Sequence, residues 1–202
     1  LGKRVMDFTL SFLLIILLSP LLVLVALSIK LTSPGPVFFV QPRVGMNKRS
    51  FKLLKFRSMF IDAEKRKAEL AHLNEMDGPV FKIKNDPRIT RIGHFIRKTS
   101  IDELPQLINV VRGEMSFVGP RPERPHFVAE LCKVIPFYEE RHVVRPGITG
   151  WAQVRSGYGS SIEDAQIKLE FDLFYIKHIC FSLDLAILLD TLKVVVIGRG
   201  AR

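Results

Sequence analysis

Two adjacent carboxylates, Asp102 and Glu103, open a stretch that reads as a helix up to Val111, with Gly113 as its stop. Ser100-Ile-Asp-Glu103 has the form of a capping box, which merely starts a helix. Pro105 weakens that reading, because a cap at Ser100 places it beyond the position that tolerates proline best. A cap at Asp102 brings Pro105 into the first turn. Paired acids at a helix N-terminus lie where backbone N–H groups attract anions. They also repel each other and ask for a cation. With a phosphate close by, hard oxygen ligands of this kind point to Mg²⁺.

The candidate counter-charges sit in irregular segments. Arg121 lies between Pro120 and Pro122, and Arg145 precedes Pro146-Gly147. Lys55 and Arg57 are two apart on an apparent strand, hence on one face. Any single arginine can serve solubility alone. Prolines that fix the backbone around Arg121 favour recognition instead, since a rigid guanidinium suits bidentate phosphate binding. A Walker A loop and a GxGxxG turn are absent from the sequence, which excludes nucleotide binding by those routes. His72, His94, His126, His142 and His178 show no metal-ligand spacing. Cys132 and Cys180 make neither a disulfide scaffold nor a zinc pair and read as reduced thiols.

The elements that must position these groups follow from local pattern. Val37–Arg43 and Ser50–Met59 read as strands of a small hairpin around Val44-Gly45-Met46-Asn47-Lys48. Residues 61–75 form a charged, helix-prone run that Asp77-Gly78-Pro79 breaks. Further helices are expected over 89–97, 127–141, 162–178 and 182–197, and a short strand over Trp151–Val154. Asp184, Asp190 and Lys193 make the last helix a poor membrane span. The aromatic run from Phe171 to Phe181 fits core packing or an amphipathic surface at a membrane interface.

Phe8 to Ile29 carries no charge over 22 residues, about enough to span a bilayer. No small-residue cleavage site follows it, so it is not a signal peptide. Ser19-Pro20 lies near its middle, where proline removes a backbone bond. Both flanks are basic, which places both ends on the cytoplasmic side. A simple spanning helix is the alternative reading; a helix that enters, breaks at Ser19-Pro20 and returns satisfies both features. Each arm is then about 15 Å, half the hydrocarbon thickness. The Ser19 hydroxyl is the nearest partner for the backbone groups that the break frees.

Composition agrees. The chain has 202 residues, 48% hydrophobic and 25% charged, with a formal net charge of +10. That suits one domain with an appendage and excludes both a disordered chain and a polytopic transporter. Residues 1–60 hold nine Lys and Arg against the single Asp7, so the positive excess surrounds the apolar segment. Such a cluster suits the anionic cytoplasmic leaflet. Nucleic acid is disfavoured as a partner, because no nucleic-acid-binding motif appears.

Taken together, the motifs resemble the monotopic polyprenyl-phosphate phosphoglycosyl transferases, the bacterial sugar transferase family. The matching pieces are Lys3-Arg-Val-Met-Asp7, the break at Ser19-Pro20, Thr32-Ser-Pro-Gly-Pro-Val-Phe-Phe-Val-Gln41 and Lys55-Phe-Arg-Ser-Met59. Asp102-Glu-Leu-Pro-Gln106, Met115-Ser-Phe-Val-Gly-Pro-Arg-Pro122 and Arg145-Pro-Gly-Ile-Thr-Gly-Trp-Ala-Gln-Val154 follow in the family's order. The resemblance implies an α+β, mostly helical chain. Residues 1–30 would be a re-entrant helix-break-helix, and 31–202 a catalytic domain with a small β-hairpin and amphipathic interfacial helices. It also implies a Mg²⁺-dependent enzyme of the cytoplasmic face of the bacterial inner membrane. That enzyme would pass a phosphosugar from a UDP-sugar to a polyprenyl phosphate and release UMP, the first membrane step of glycoconjugate assembly.

On this resemblance Asp102 is the nucleophile of a covalent phosphosugar intermediate, and Glu103 shares the metal or handles protons. Arg121 is the foremost phosphate ligand, with Lys55, Arg57 and Arg145 behind it, and Asp172 is a further carboxylate near the site. A homodimer is compatible with this picture. Residues 69–90 resemble the catalytic portion of the larger members, which use hexose substrates. A chain beginning at Leu1 reads equally as such a portion or as a short protein. The alternative is a non-catalytic module that binds the membrane surface through its basic N-terminal third.

Overall fold

A computed structural model describes residues 2–69, 83, 86–156 and 161–197. The expected break at Asp77-Gly78-Pro79 and most of the 69–90 segment lie outside those residues. The chain is α+β and mostly helical, with one small antiparallel strand pair.

The apolar segment is a single helix, α1 (Gly2–Thr32), that runs through Pro20. The expectation of two separate helical arms is therefore corrected. The reason is local: Pro20 cannot donate to the Ile16 carbonyl, and the Ser19 hydroxyl donates to it instead at 2.8 Å. One face of α1 packs on the domain, with Asp7, Ser11, Val25 and Ile29 buried. Leu14 and Ile15 meet the main core, and Leu22 and Ala26 meet a second cluster around Phe56 and Ile96. Twelve large apolar side chains of α1, from Val5 to Leu31, stay exposed. Covering them is worth on the order of 20 kcal/mol, and a patch of that extent marks a surface that meets a membrane or another protein. Among the described residues α1 is the one helix long and apolar enough to cross a membrane.

The first turns of α1 are tied by polar bonds. Arg4 donates to the carbonyls of Val110 and Val111 at 2.5 and 2.8 Å. Asp7 accepts from the Phe117 amide at 3.3 Å. Lys3 pairs with Asp184, which also accepts from the Tyr175 hydroxyl at 2.7 Å. The basic N-terminal pair read as a topology signal is thus engaged within the protein.

The hairpin forms as expected from β1 (Phe38–Val44) and β2 (Ser50–Phe56), in antiparallel register with Phe39 opposite Lys55. After α2 (Arg66–Glu69) come α3 (Arg91–Lys98) and α4 (Gln106–Arg112). Thr90 caps α3 by accepting from the Gly93 amide, and Gly113 in the left-handed conformation ends α4. β3 (Ser116–Val118) pairs in parallel with β4 (Gly147–Thr149). The strand expected over Trp151–Val154 is instead helix α6 (Trp151–Arg155). The extended segment lies just before it because Gly119 and Gly147 pack backbone on backbone. A Cβ on Gly147 would lie 2.2 Å from the Gly119 amide.

The helix expected over 127–141 divides into α5 (Pro125–Val134) and a 3₁₀ turn over Tyr138–His142. α7 (Ile162–Lys177) and α8 (Phe181–Ile197) match expectation in position. Ser161 and Asp164 build a capping box at the start of α7. α8 turns Phe181, Leu185, Leu189 and Leu192 outward and buries Asp184 and Ile187. Its inner face is partly polar, and its outer apolar face is interrupted by exposed Ser182 and Lys193.

Candidate active site

Asp102 and Glu103 stand in a 3₁₀ turn (Ile101–Glu103) immediately before α4. Ser100 precedes them with φ of 57°, and its side chain caps nothing. The capping-box reading therefore fails, and Pro105 is the cap residue of α4. The turn is placed by its neighbours. Ile101 packs against the cluster of Val25, Ile29, Phe56 and Ile96, next to the C-terminal half of α1. Fully buried Asn109 in α4 imitates a strand edge toward β2. It donates to the Lys52 carbonyl at 2.8 Å and accepts from the Leu54 amide at 3.0 Å. That docking sets Lys55 beside the turn.

Lys55 donates to Oε1 of Glu103 at 2.7 Å, and Arg121 donates to the same oxygen at 3.2 Å. Burial acts to raise the Glu103 carboxyl, but Arg121 and Lys55 outweigh it and hold the group at about 2. Its neighbour differs. Asp102 is half-buried and has no ion pair among the described residues. Its carboxyl is pushed up, by burial first, with Glu103 adding to the rise while Lys55 and Arg97 oppose it. One acid is thus neutralised by two cations, and the other is kept basic and uncommitted.

This arrangement suits nucleophilic attack on an electrophile that carries negative charge. The uncommitted carboxylate supplies the electron pair, and the cations offset the incoming charge. The donor set also fits Mg²⁺. Asp102 and the second oxygen of Glu103 are hard oxygens with no hydrogen-bonded partner among the described side chains. Among those residues no cluster of three or more His, Cys, Asp or Glu forms. Mg²⁺ commonly binds through one or two carboxylates, its remaining positions filled by water and substrate phosphate.

Of the other residues singled out by sequence, Lys55 and Arg121 are brought to the pair and three, Arg57, Arg145 and Asp172, are not. Arg57 is 5% exposed and donates to the carbonyls of Pro34 and Ser33 at 2.6 and 2.8 Å. It forms the floor of the turn after α1, where Gly35 has φ of 113° and a Cβ would lie 2.2 Å from the guanidinium. Arg145 donates to the Gly113 carbonyl at 2.9 Å and closes the end of α4. Asp172 is buried and bonded to Arg141 at 2.7 and 3.0 Å. Arg141 in turn donates to the Arg121 carbonyl at 2.9 Å, so Asp172 stands behind the site and not in it.

Arg141, Arg43 and Arg97 were not legible as site residues. Arg141 follows Glu139-Glu140 and resembles a solvated helix face. Burial, foremost, lowers Arg43 to about 10, and Arg121 and Arg124 add to this while Glu123 opposes it.

Half-buried acids beside fixed cations thus lie next to a long helix with an exposed apolar face. The chain belongs to the bacterial sugar transferase family, whose model matches residues 1–198. It is 48% identical over 200 residues to the UDP-N-acetylgalactosamine-undecaprenyl-phosphate N-acetylgalactosaminephosphotransferase of Aeromonas hydrophila, covering 99% of this chain and 45% of that protein. It is 46% identical to the undecaprenyl-phosphate glucose phosphotransferase of Komagataeibacter xylinus, covering 100% of this chain and 37% of that protein. The chain therefore spans less than half the length of these relatives. A third relative, the exopolysaccharide production protein PSS of Rhizobium leguminosarum bv. phaseoli, is 41% identical, with 94% of this chain and 92% of that protein covered.

Proposed function

We propose that this chain transfers a sugar 1-phosphate from a UDP-sugar to a polyprenyl phosphate at the cytoplasmic face of the bacterial inner membrane, in two steps. The observation that carries the proposal is the asymmetry of the acid pair: Glu103 held by Lys55 and Arg121, Asp102 unpaired. The relatives' names speak for the same substrates.

In the first step a carboxylate oxygen of Asp102 attacks the β-phosphorus of the sugar nucleotide. A new P–O bond forms to Asp102, and the bond to the UMP oxygen breaks, that oxygen leaving with the electron pair. In the second step a phosphate oxygen of the polyprenyl phosphate attacks the same phosphorus and Asp102 departs as carboxylate. Arg121 binds a substrate phosphate oxygen from a fixed loop, and Lys55 keeps Glu103 ionised and in place. Mg²⁺ held by Asp102 and Glu103 would neutralise charge on the diphosphate.

The two-step order suits substrates from two phases, one from water and one from lipid. α1, continuous through Pro20, is then a re-entrant helix that bends at Ser19-Pro20 within the bilayer without breaking and keeps both ends on one side. Its contacts support this topology. A straight helix of 31 residues is about 46 Å long. A spanning helix leaves one end on the far side of about 30 Å of hydrocarbon. Here the first turns bond the Val110–Val111 carbonyls, the Phe117 amide and Asp184, while Val25 and Ile29 pack with Phe56 and Ile96. The outward stripe on α8 adds lipid-facing surface. Cysteines placed before Lys3 and after Lys30 are expected to label from the cytoplasmic side only.

Purified protein incubated with a panel of UDP-sugars, Mg²⁺ and undecaprenyl phosphate is expected to release UMP. Incubated with the sugar nucleotide alone, it is expected to gain the intact mass of one phosphosugar. Release of UMP only when both substrates are present, without that adduct, assigns a direct displacement in which Asp102 is a metal ligand. Lipid binding without any UMP assigns a membrane-surface module instead.

A further inference from the structure

The loop that carries Arg121 is held with unusual completeness. Its successive carbonyls, from Pro120 to Glu123, each accept a hydrogen bond from outside the loop. The donors are the Gly147 amide, Arg141 Nη2, Arg43 Nη1 and the Val44 amide, each at 2.9 Å. The Gly119 amide donates outward to the Thr149 carbonyl at 2.9 Å. Pro120 and Pro122 fix two of the backbone dihedrals. Two donors are backbone groups of β4 and of the end of β1, which any sequence would supply. The other two are arginine side chains, and they take the carbonyls of Arg121 itself and of Pro122.

Both arginines are themselves fixed. Arg141 is 6% exposed and is gripped by Asp172 through Nε and Nη2 and by the Tyr138 hydroxyl at 2.9 Å. Arg43 is oriented by Gln41 at 2.7 Å and Glu123 at 3.4 Å. A buried ion pair such as Asp172–Arg141 is weak support for stability, since apolar residues of similar volume often do as well. What apolar residues cannot supply is a donor for the Arg121 carbonyl.

Resting on the reading of Arg121 as a phosphate ligand, we propose that Arg141, held by Asp172, and Arg43 are positioning residues that aim Arg121 at Glu103 and the substrate. Neither touches the reacting atoms. Their effect passes through the backbone of one loop into one guanidinium, so it exists only while Arg121 is present.

The test is a double-mutant cycle. Arg141→Met with Asp172→Leu removes the clamp without leaving a buried charge, and Arg43→Gln removes the second clamp at a less buried position. Each is made alone and in an Arg121→Ala background, with melting temperature, kcat and KM for the UDP-sugar measured. On the normal background a loss of kcat of about 100-fold is expected, the scale of a 1 Å misplacement, with the fold retained. On the Arg121→Ala background neither change should cost anything further. Undiminished kcat on the normal background, or an equal loss without Arg121, overturns the proposal. If the unmutated protein shows neither adduct nor UMP, the enzymatic reading fails separately. Hydrogen exchange then decides the clamp: faster exchange at residues 117–131 in the variants supports it, and unchanged exchange overturns it.

Discussion

Asp172 and Asp102 are both largely withdrawn from water and lie on either side of one loop, yet their surroundings are opposite. Asp172 is closed: 2% exposed, gripped by two nitrogens of Arg141, with Tyr138 completing the set. Asp102 is open: half-buried, beside an acid whose cations are already engaged, and without an ion pair of its own among the described residues. A saturated carboxylate can only hold something. An unsaturated one, kept basic by burial and a neighbouring negative charge, retains an electron pair to give. The contrast separates scaffold from chemistry more sharply than residue type does.

The largest expected effect breaks this contrast directly. Asp172→Asn removes one partner of a buried pair and is expected to cost about 3–5 kcal/mol of stability, read as a drop in melting temperature. Asp102→Asn is expected to abolish UMP release, a loss of at least about 1,000-fold, with no loss of stability. The sign follows from linkage. A carboxyl whose folded pKa is raised binds its proton more tightly in the folded state. Its ionisation therefore destabilises the fold as pH rises from about 3.9 through the raised value. Asp102→Asn should melt higher than the unmutated protein at pH 7, and the gap should close near pH 4. Glu103 has the opposite sign, since Arg121 and Lys55 overcome burial to hold it at about 2. Its contribution is complete above about 4.3 and is lost as pH falls toward about 2.

A smaller effect sharpens the comparison within the acid pair. Glu103→Gln leaves Lys55 and Arg121 without their shared anion and is expected to lower kcat by about 100-fold. The residual activity carries more information than the loss. Glu103 pushes the Asp102 carboxyl up and Lys55 pulls it down. The acidic limb of the pH–rate profile should therefore move to lower pH in Glu103→Gln and to higher pH in Lys55→Met. Movement in the same direction in both variants would detach that limb from Asp102.

Much of this was legible in the sequence, for identifiable reasons. α1 announced itself by an uncharged run longer than a soluble helix buries, and the hairpin by strand-like runs around Gly45-Met46-Asn47-Lys48. The nearness of Asp102 and Glu103 is covalent, so it needed no fold. What stayed hidden is whatever depends on a third partner. Pro20 predicts a broken helix unless one knows that Ser19 takes the abandoned Ile16 carbonyl. Trp151 and Val154 favour strand by type, yet the close approach of Gly119 and Gly147 moves the strand upstream and leaves those residues to a helix. Charge patterning shows where cations are, not what already holds them. Arg141 reads as surface because its carboxylate partner, Asp172, lies 31 residues away.

Arg57 gives the smallest expected effect and the most direct test of that last point. Two residues from Lys55, it reads as a second phosphate ligand, but its donors go to the Ser33 carbonyl and hydroxyl and the Pro34 carbonyl. The strand ends at Phe56, so alternation no longer dictates where the next side chain points. Arg57→Lys keeps the charge and loses the fork that serves several acceptors at once. It is expected to cost about 1–3 kcal/mol through carbonyls left unsatisfied, seen as a lower melting temperature. Among molecules that remain folded, KM for the UDP-sugar and kcat should be unchanged, because the guanidinium is bonded to the turn after α1 and not to Glu103. A raised KM with an unchanged melting temperature would return Arg57 to the substrate. The line drawn between Asp172 and Asp102 would then not extend to the cations, and exposure and existing bonds would cease to be a reliable guide to which arginines in this site are available for binding.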